Sequence, residues 1–129
     1  MANKVLIQNI SSAIEKELTL YHRNTLEKIK IATQESMQAL VKMTKAQRFE
    51  RDTGAYRRNI SSTVIWESPY EITMAWYVKD PEYRLTHLLE NGHMTKAGTR
   101  TKAYGFLGTA TELVTEEYVR KVEEAIANG

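Results

Sequence analysis

The chain has 129 residues and 42% hydrophobic content, a size that suits one domain with one core. It has no cysteine, which excludes disulfides, thiolate metal sites and a thiol nucleophile. The net charge of +2, from 18 basic and 16 acidic side chains, gives no footprint of a DNA-coating protein. With no run of 18 or more apolar residues and no signal-peptide pattern at the N-terminus, a soluble, unsecreted protein is expected.

Residues 1–10 read as a lead-in that is either flexible or, over Val5 to Ile10, a short strand. Ser11 and Ser12 are placed to cap a helix, and Glu15 stands three residues after Ser12 to close a capping box. From there to about Lys45 no Pro or Gly interrupts the chain. Ile14, Leu18, Tyr21, Thr25, Ile29, Ala32, Ser36, Ala39 and Met43 recur at spacings of three and four, with Leu26, Met37 and Leu40 widening the stripe. One amphipathic helix over Ser12 to Lys45 would run about 50 Å at roughly 1.5 Å per residue, longer than so small a domain is wide. Part of it must project, bend or pack on another subunit. Its small residues Thr25, Ala32, Ser36 and Ala39 admit a close neighbour, and its weak heptads count against a coiled-coil dimer.

Gln47 to Arg58 carries a turn signal at Asp52-Thr53-Gly54 and charges on both sides of Phe49, the pattern of a solvated loop. Ile60 to Glu67 is strand-like. Tyr70, Ile72, Met74, Trp76 and Val78 then alternate with polar or smaller residues at a period of two, predicting an antiparallel hairpin with these five facing the core. Asp80-Pro81 stops the second strand and starts a short helix from about Glu82 to Asn91, with Leu85, Leu88 and Leu89 on one face and Gly92 as its stop. His93 to Tyr104 is polar, holds Lys96, Arg100 and Lys102 with no acid, and forms either a mobile loop or a hairpin arm with room for a third strand. Thr109 or Thr111, with Glu112, can cap a last helix whose stripe is Leu113, Val114, Tyr118, Val122, Ala125 and Ile126. The fold class expected is α+β: a long N-terminal helix, a small antiparallel sheet, a short middle helix and a C-terminal helix, in a single domain over 1–129.

No pattern motivates catalysis. His87, Glu90 and His93 have three-residue spacing, but Gly92 ends the helix before His93 and no HExxH or HxxEH order is present, so a satisfied or interfacial histidine is favoured over a metal ligand. The serines lie at caps, strands and turns without a nucleophile elbow, and no glycine-rich phosphate loop exists. Glu116-Glu117 and Glu123-Glu124 read as solvated helix surface. No metal and no cofactor is expected. Arg57-Arg58 and the Lys96, Arg100, Lys102 group could meet phosphates, with Tyr56 and Tyr104 as stacking groups, though charged loops are commonplace and the small net charge favours the plainer reading. In a ring of identical subunits, such arginines would pair with acids of the next protomer.

The string YRLTHLLENGH from Tyr83 to His93 resembles the YRLTHLLE-x-GH signature of small tail-component proteins of long-tailed DNA bacteriophages, the head-to-tail joining or tail-completion family also called gene-product-ten-like. Members look like an N-terminal helix, a TG-x-YRRSI segment entering a hairpin, that signature, a basic glycine-containing loop, an aromatic-proline stretch and a C-terminal helix. Here Thr53 to Ile60 reads TGAYRRNI, Lys96 to Lys102 is the basic loop, and Phe106 to Ala110 lacks the proline that the family often has. The resemblance spans roughly residues 50 to 127. It implies a non-enzymatic virion protein of the head-tail junction, made in the host cytoplasm. Such a protein forms a ring, commonly hexameric, at the head-proximal end of the tail and contacts a tail-tube or tail-terminator protein and a head connector or stopper. The candidate interface residues are Arg57, Arg58, Tyr83, Arg84, His87, Glu90, His93, Lys96, Arg100, Lys102 and Phe106. A nucleic-acid-binding accessory protein using the basic loops is the alternative, and a small metal-dependent hydrolase stands far behind.

Overall fold

A computed structural model describes the backbone of residues 2–50 and 53–128, with side chains described from residue 14 onward. Helix α1 (Ala2–Lys45) is followed by the single turn α2 (Ala55–Arg58), strands β1 (Ile60–Ser68) and β2 (Glu71–Val78), a 3₁₀ turn (Glu82–Leu85), α3 (Thr86–Asn91) and α4 (Phe106–Asn128). The α+β class read from the sequence is the one observed.

Helix α1 starts earlier than expected. It takes in Val5 to Ile10, read as strand or lead-in, and leaves Ser11 and Ser12 inside the helix rather than at its cap. The 44 residues contain neither Pro nor Gly. Once a helix is nucleated, each added residue gains a hydrogen bond at little cost, whereas a lone strand needs a sheet to join.

Helix α4 runs antiparallel to α1 along the α1 stripe. Tyr21 Oη donates to the Ile126 carbonyl, the Thr33 hydroxyl pairs with the Tyr118 hydroxyl at 3.0 Å, and Lys121 Nζ bonds Glu35 at 3.0 Å. The close neighbour admitted by Thr25, Ala32 and Ser36, all buried, is therefore this chain's own C-terminal helix. Ala39 remains exposed.

The hairpin packs along α1 and meets the start of α4 at its base. Its register pairs Ile60 with Val78, Ser62 with Trp76 and Val64 with Met74, so that Ile72, Met74, Trp76 and Val78 face inward as expected. Tyr70 does not join them. Ser68 opposite Glu71 is the last pair, which leaves Pro69 and Tyr70 as a two-residue turn, and Tyr70 is 75% exposed. A bulge between Val64 and Trp66 leaves Ile65 unmatched and turns Val64, Ile65 and Trp66 toward solvent.

The core is at the base of the hairpin. Tyr56, Ile60, Val78 and Phe106 are buried together, and Val41, Phe49, Trp76, Leu89, Tyr104 and Leu107 pack around them. Phe49 contacts Tyr56, Tyr104 and Phe106 edge to face, with ring centroids 5.7, 4.9 and 5.1 Å away. The stretch from Gln47 to Arg58 is thus not a solvated loop throughout: its two aromatic residues enter the core and α2 forms beside it. Trp76 Nε1 donates to Thr44 Oγ1 at 2.9 Å, and that fully buried hydroxyl donates in turn to the Leu40 carbonyl at 2.8 Å.

Candidate assembly interface

The Tyr83–His93 segment is built as a staple. Leu85, Leu88 and Leu89 share a face, but Leu89 alone packs against the core, while Leu85 is exposed. Helix α3 ends at Gly92, with φ 72° and ψ 171°. That backbone is essentially reserved for glycine, and a Cβ there would stand 2.7 Å from the Thr101 carbonyl oxygen. The chain then leaves, turns and returns. On its return, Tyr104 N–H donates to the Leu89 carbonyl at 2.9 Å and Gly105 N–H to the Glu90 carbonyl at 3.1 Å.

Glu90 completes the staple. Its two carboxylate oxygens accept from the Leu107 and Gly108 N–H groups at 2.9 and 2.8 Å, so one side chain from α3 caps the N-terminus of α4. Gly108 makes room for it, since a Cβ there would lie 3.1 Å from Glu90 Oε2. The caps expected at Thr109 or Thr111 are replaced by this one, and α4 begins upstream of both, at Phe106.

Residues 93–103 form an arm beyond the staple. His93 and Thr101 are joined by Thr101 N–H to the His93 carbonyl at 2.8 Å, His93 N–H to Thr101 Oγ1 at 2.8 Å, and Thr101 Oγ1 to His93 Nδ1 at 3.1 Å. Thr95 and Thr99 pair through backbone and hydroxyl groups, with Gly98 in the turn. The arm's one ladder contact is an isolated bridge between Met94 and Arg100, so it folds on itself and adds no third strand to the sheet. Arg100 donates to the Asn91 carbonyl at 3.1 Å, Lys102 Nζ stands 5.0 Å from the centre of the Tyr104 ring, and Lys96 is exposed near the turn.

The candidate residues divide into two groups. Tyr83, with Arg84 over its ring at 5.9 Å, His87, His93, Lys96, Arg100, Lys102 and Arg58 are exposed. Arg57 is half-buried, and both it and Arg58 bring guanidinium nitrogens over Gly54. Phe106 cannot meet a partner, because it is buried in the aromatic core, and Glu90 is engaged in capping α4. Tyr56 is likewise interior, not a stacking platform. Its hydroxyl donates to Thr86 Oγ1 at 2.8 Å. Burial pushes the Tyr56 pKa above its ordinary 10.0, the Thr86 hydrogen bond pulls it down, and the Glu90 charge adds to the rise. Tyr104 serves the core as well, its hydroxyl accepting from Glu50 N–H at 2.8 Å. Among the described residues, no three His, Cys, Asp or Glu side chains stand together as metal ligands.

Sequence reasoning missed the staple and the aromatic knot. The signal available was aromatic residues, Phe49, Tyr56, Tyr104 and Phe106, set in otherwise polar connections. No protein-family model, curated protein or solved structure matches the chain.

Proposed function

We propose that this chain is a non-enzymatic structural protein of a long-tailed phage virion, forming a ring at the head-proximal end of the tail and joining it to the head connector. The observation that carries the reading is the apolar surface the fold leaves uncovered. Upstream of Tyr21, the described part of the α1 stripe is bare, with Ile14 53% and Leu18 62% exposed. From Ile14 to Leu20 no hydrogen bond or ion pair reaches another element among the described residues. Over Ala2 to Glu17, ahead of the cleft that Leu18 and Thr19 line with Pro69 and Tyr70, α1 is about 24 Å long at 1.5 Å per residue. The hairpin adds Val64, Ile65, Trp66 and Tyr77, and neither of its outer edges has a ladder partner among the described residues. A lone domain gains nothing from such surfaces, whereas a subunit that meets neighbours covers them. The resemblance of Tyr83 to His93 to the joining family supports the same assignment, with tail-tube or tail-terminator and connector proteins as partners.

The test is electron microscopy of particles made after a stop codon replaces Lys4 in the encoding genome. Full heads beside separate, unjoined tails are expected. Normal infectious particles would overturn the reading.

A further inference from the structure

Among the described residues, the outer face of α4 is unpartnered and acidic. Glu112, Glu116, Val119 and Glu123 recur at spacings of four, three and four, on the side opposite the buried Ala110 and Ala125. None of the three carboxylates has an ion-pair partner among the described residues, while Glu117 and Glu124 are held by Arg120. Val119 lies in the middle of the stripe and is 47% exposed. Over Phe106–Asn128 five glutamates face one arginine and one lysine, a net −3. The arm over 93–103 carries Lys96, Arg100 and Lys102 with no acid, a net +3 with histidine neutral. Its exposed apolar group is Met94, 61% exposed and bridged to Arg100.

We propose that the arm of one copy docks on the outer stripe of α4 of the next copy, setting Lys96, Arg100 and Lys102 against Glu112, Glu116 and Glu123 and Met94 against Val119. The inference rests on the ring reading above and names its contact surface. Charge complementarity identifies the occupant: two patches of equal and opposite charge sit on one chain, and each includes an exposed apolar residue, Met94 or Val119. Dimensions agree as well. Glu112 to Glu123 spans about 16 Å along a helix at 1.5 Å per residue. Lys102, Arg100 and the turn at Lys96 spread over about 13 Å of a two-stranded arm at 3.3 Å per residue. The arm and its own α4 exchange no ion pair among the described residues. Because the two patches differ, the contact is head-to-tail, the kind that closes into a ring when the rotation per subunit divides a full turn. The hydrogen bonds of Thr95, Thr99 and Thr101 hold the arm in shape beforehand, which reduces the ordering that docking requires.

Charge reversal tests it, using the full chain, native mass spectrometry and sedimentation at about 50 mM salt, where screening is weak. The arm variant K96E/R100E/K102E and the helix variant E112K/E116K/E123K change exposed residues and are checked for folding by circular dichroism. Wild type is expected to form closed oligomers, and each variant alone to assemble at least about tenfold more weakly. An equimolar mixture of the two is expected to recover rings, and these must hold both chains in 1:1 ratio, because a reversed arm fits only a reversed helix. A chain carrying all six changes should assemble again. Variants that assemble as well as wild type, or a mixture that does not recover, overturn this interface and leave the ring reading standing. Arm reversal that abolishes binding to a labelled DNA duplex, while helix reversal leaves assembly intact, makes nucleic acid the occupant and overturns the proposal. Wild type that stays monomeric at every concentration overturns the proposal and the ring together, and the joining role is then judged by the particle morphology alone.

Discussion

Tyr56 shows how a loop residue becomes part of the interior. It stands two residues after Gly54, whose left-handed backbone, at φ 85°, starts α2 and turns the ring toward Phe49 and Phe106. Its hydroxyl keeps one hydrogen bond, to Thr86, and lies in the field of Glu90. Because its folded pKa is raised above the unfolded value of 10.0, the unfolded chain gives up this proton first as pH rises. The stability tied to the neutral hydroxyl is complete below the unfolded pKa and is lost as pH climbs from there through the folded pKa. Tyr56→Phe removes that titration. Urea unfolding at pH 8 should show a loss of about 0.5–1.5 kcal/mol, the worth of one hydrogen bond. Above pH 10 the difference between variant and wild type should shrink, since only wild type has a hydroxyl there to ionise. A difference constant across that range would show that the phenol does not couple to folding.

Among the elements, α4 depends most on a residue outside itself. The first turn of a helix has N–H groups with no internal partner, and here a carboxylate from the neighbouring α3 takes two of them while its charge meets the positive end of a 23-residue helix. Glu90→Gln keeps the shape but loses the charge and aims an amide N–H₂ at another N–H. We expect it to lower stability by about 1–2 kcal/mol in chemical denaturation, as loss of a good cap does. An unchanged midpoint would mean that the cap is replaced by water. This bond also marks the limit of what the chain reveals before folding. Helix α1, the inward row of the hairpin from Ile72 to Val78, the stop at Gly92 and the C-terminal helix follow from local periodicity and punctuation, and all are present. What local pattern does not carry is a contact between residues 17 apart in sequence on either side of a polar connection, so Thr109 is the natural cap to expect and Glu90 a surface or ligand residue. Phe106 was misplaced for the same reason: its burial depends on Phe49 and Tyr56, some 50 residues away, closing over it. The arm residues Lys96, Arg100 and Lys102 were legible as exposed charge, because a run of polar side chains with a central Gly has no apolar face to bury.

At the scale of the molecule, stability is distributed from one end to the other. The base of the hairpin holds the aromatic core, the Thr44–Trp76 bond and the staple, and all of them gather about the last turns of α1. Toward the other end of α1, the described residues Ile14 to Leu20 make no hydrogen bond or ion pair with another element, and Leu18 and Thr19 line an open cleft with Pro69 and Tyr70 of the hairpin turn. A helix segment without tertiary packing opens at small free-energy cost, whereas one locked in a core opens only when the domain unfolds. Hydrogen exchange should therefore divide α1 in the free chain. Amides from about Ser36 to Thr44 should exchange at the slow global rate, and those from Ile14 to Leu20 orders of magnitude faster. Burying a residue such as Leu18 is worth about 1.5–3 kcal/mol, so in the proposed ring the same amides should slow markedly where a neighbour covers the stripe. Uniform protection along α1 in dilute solution would show that the projection is stable without cover. Fast exchange that persists in the assembled particle would show that the stripe is not part of the subunit contact, and would direct attention to the hairpin edges and the arm instead.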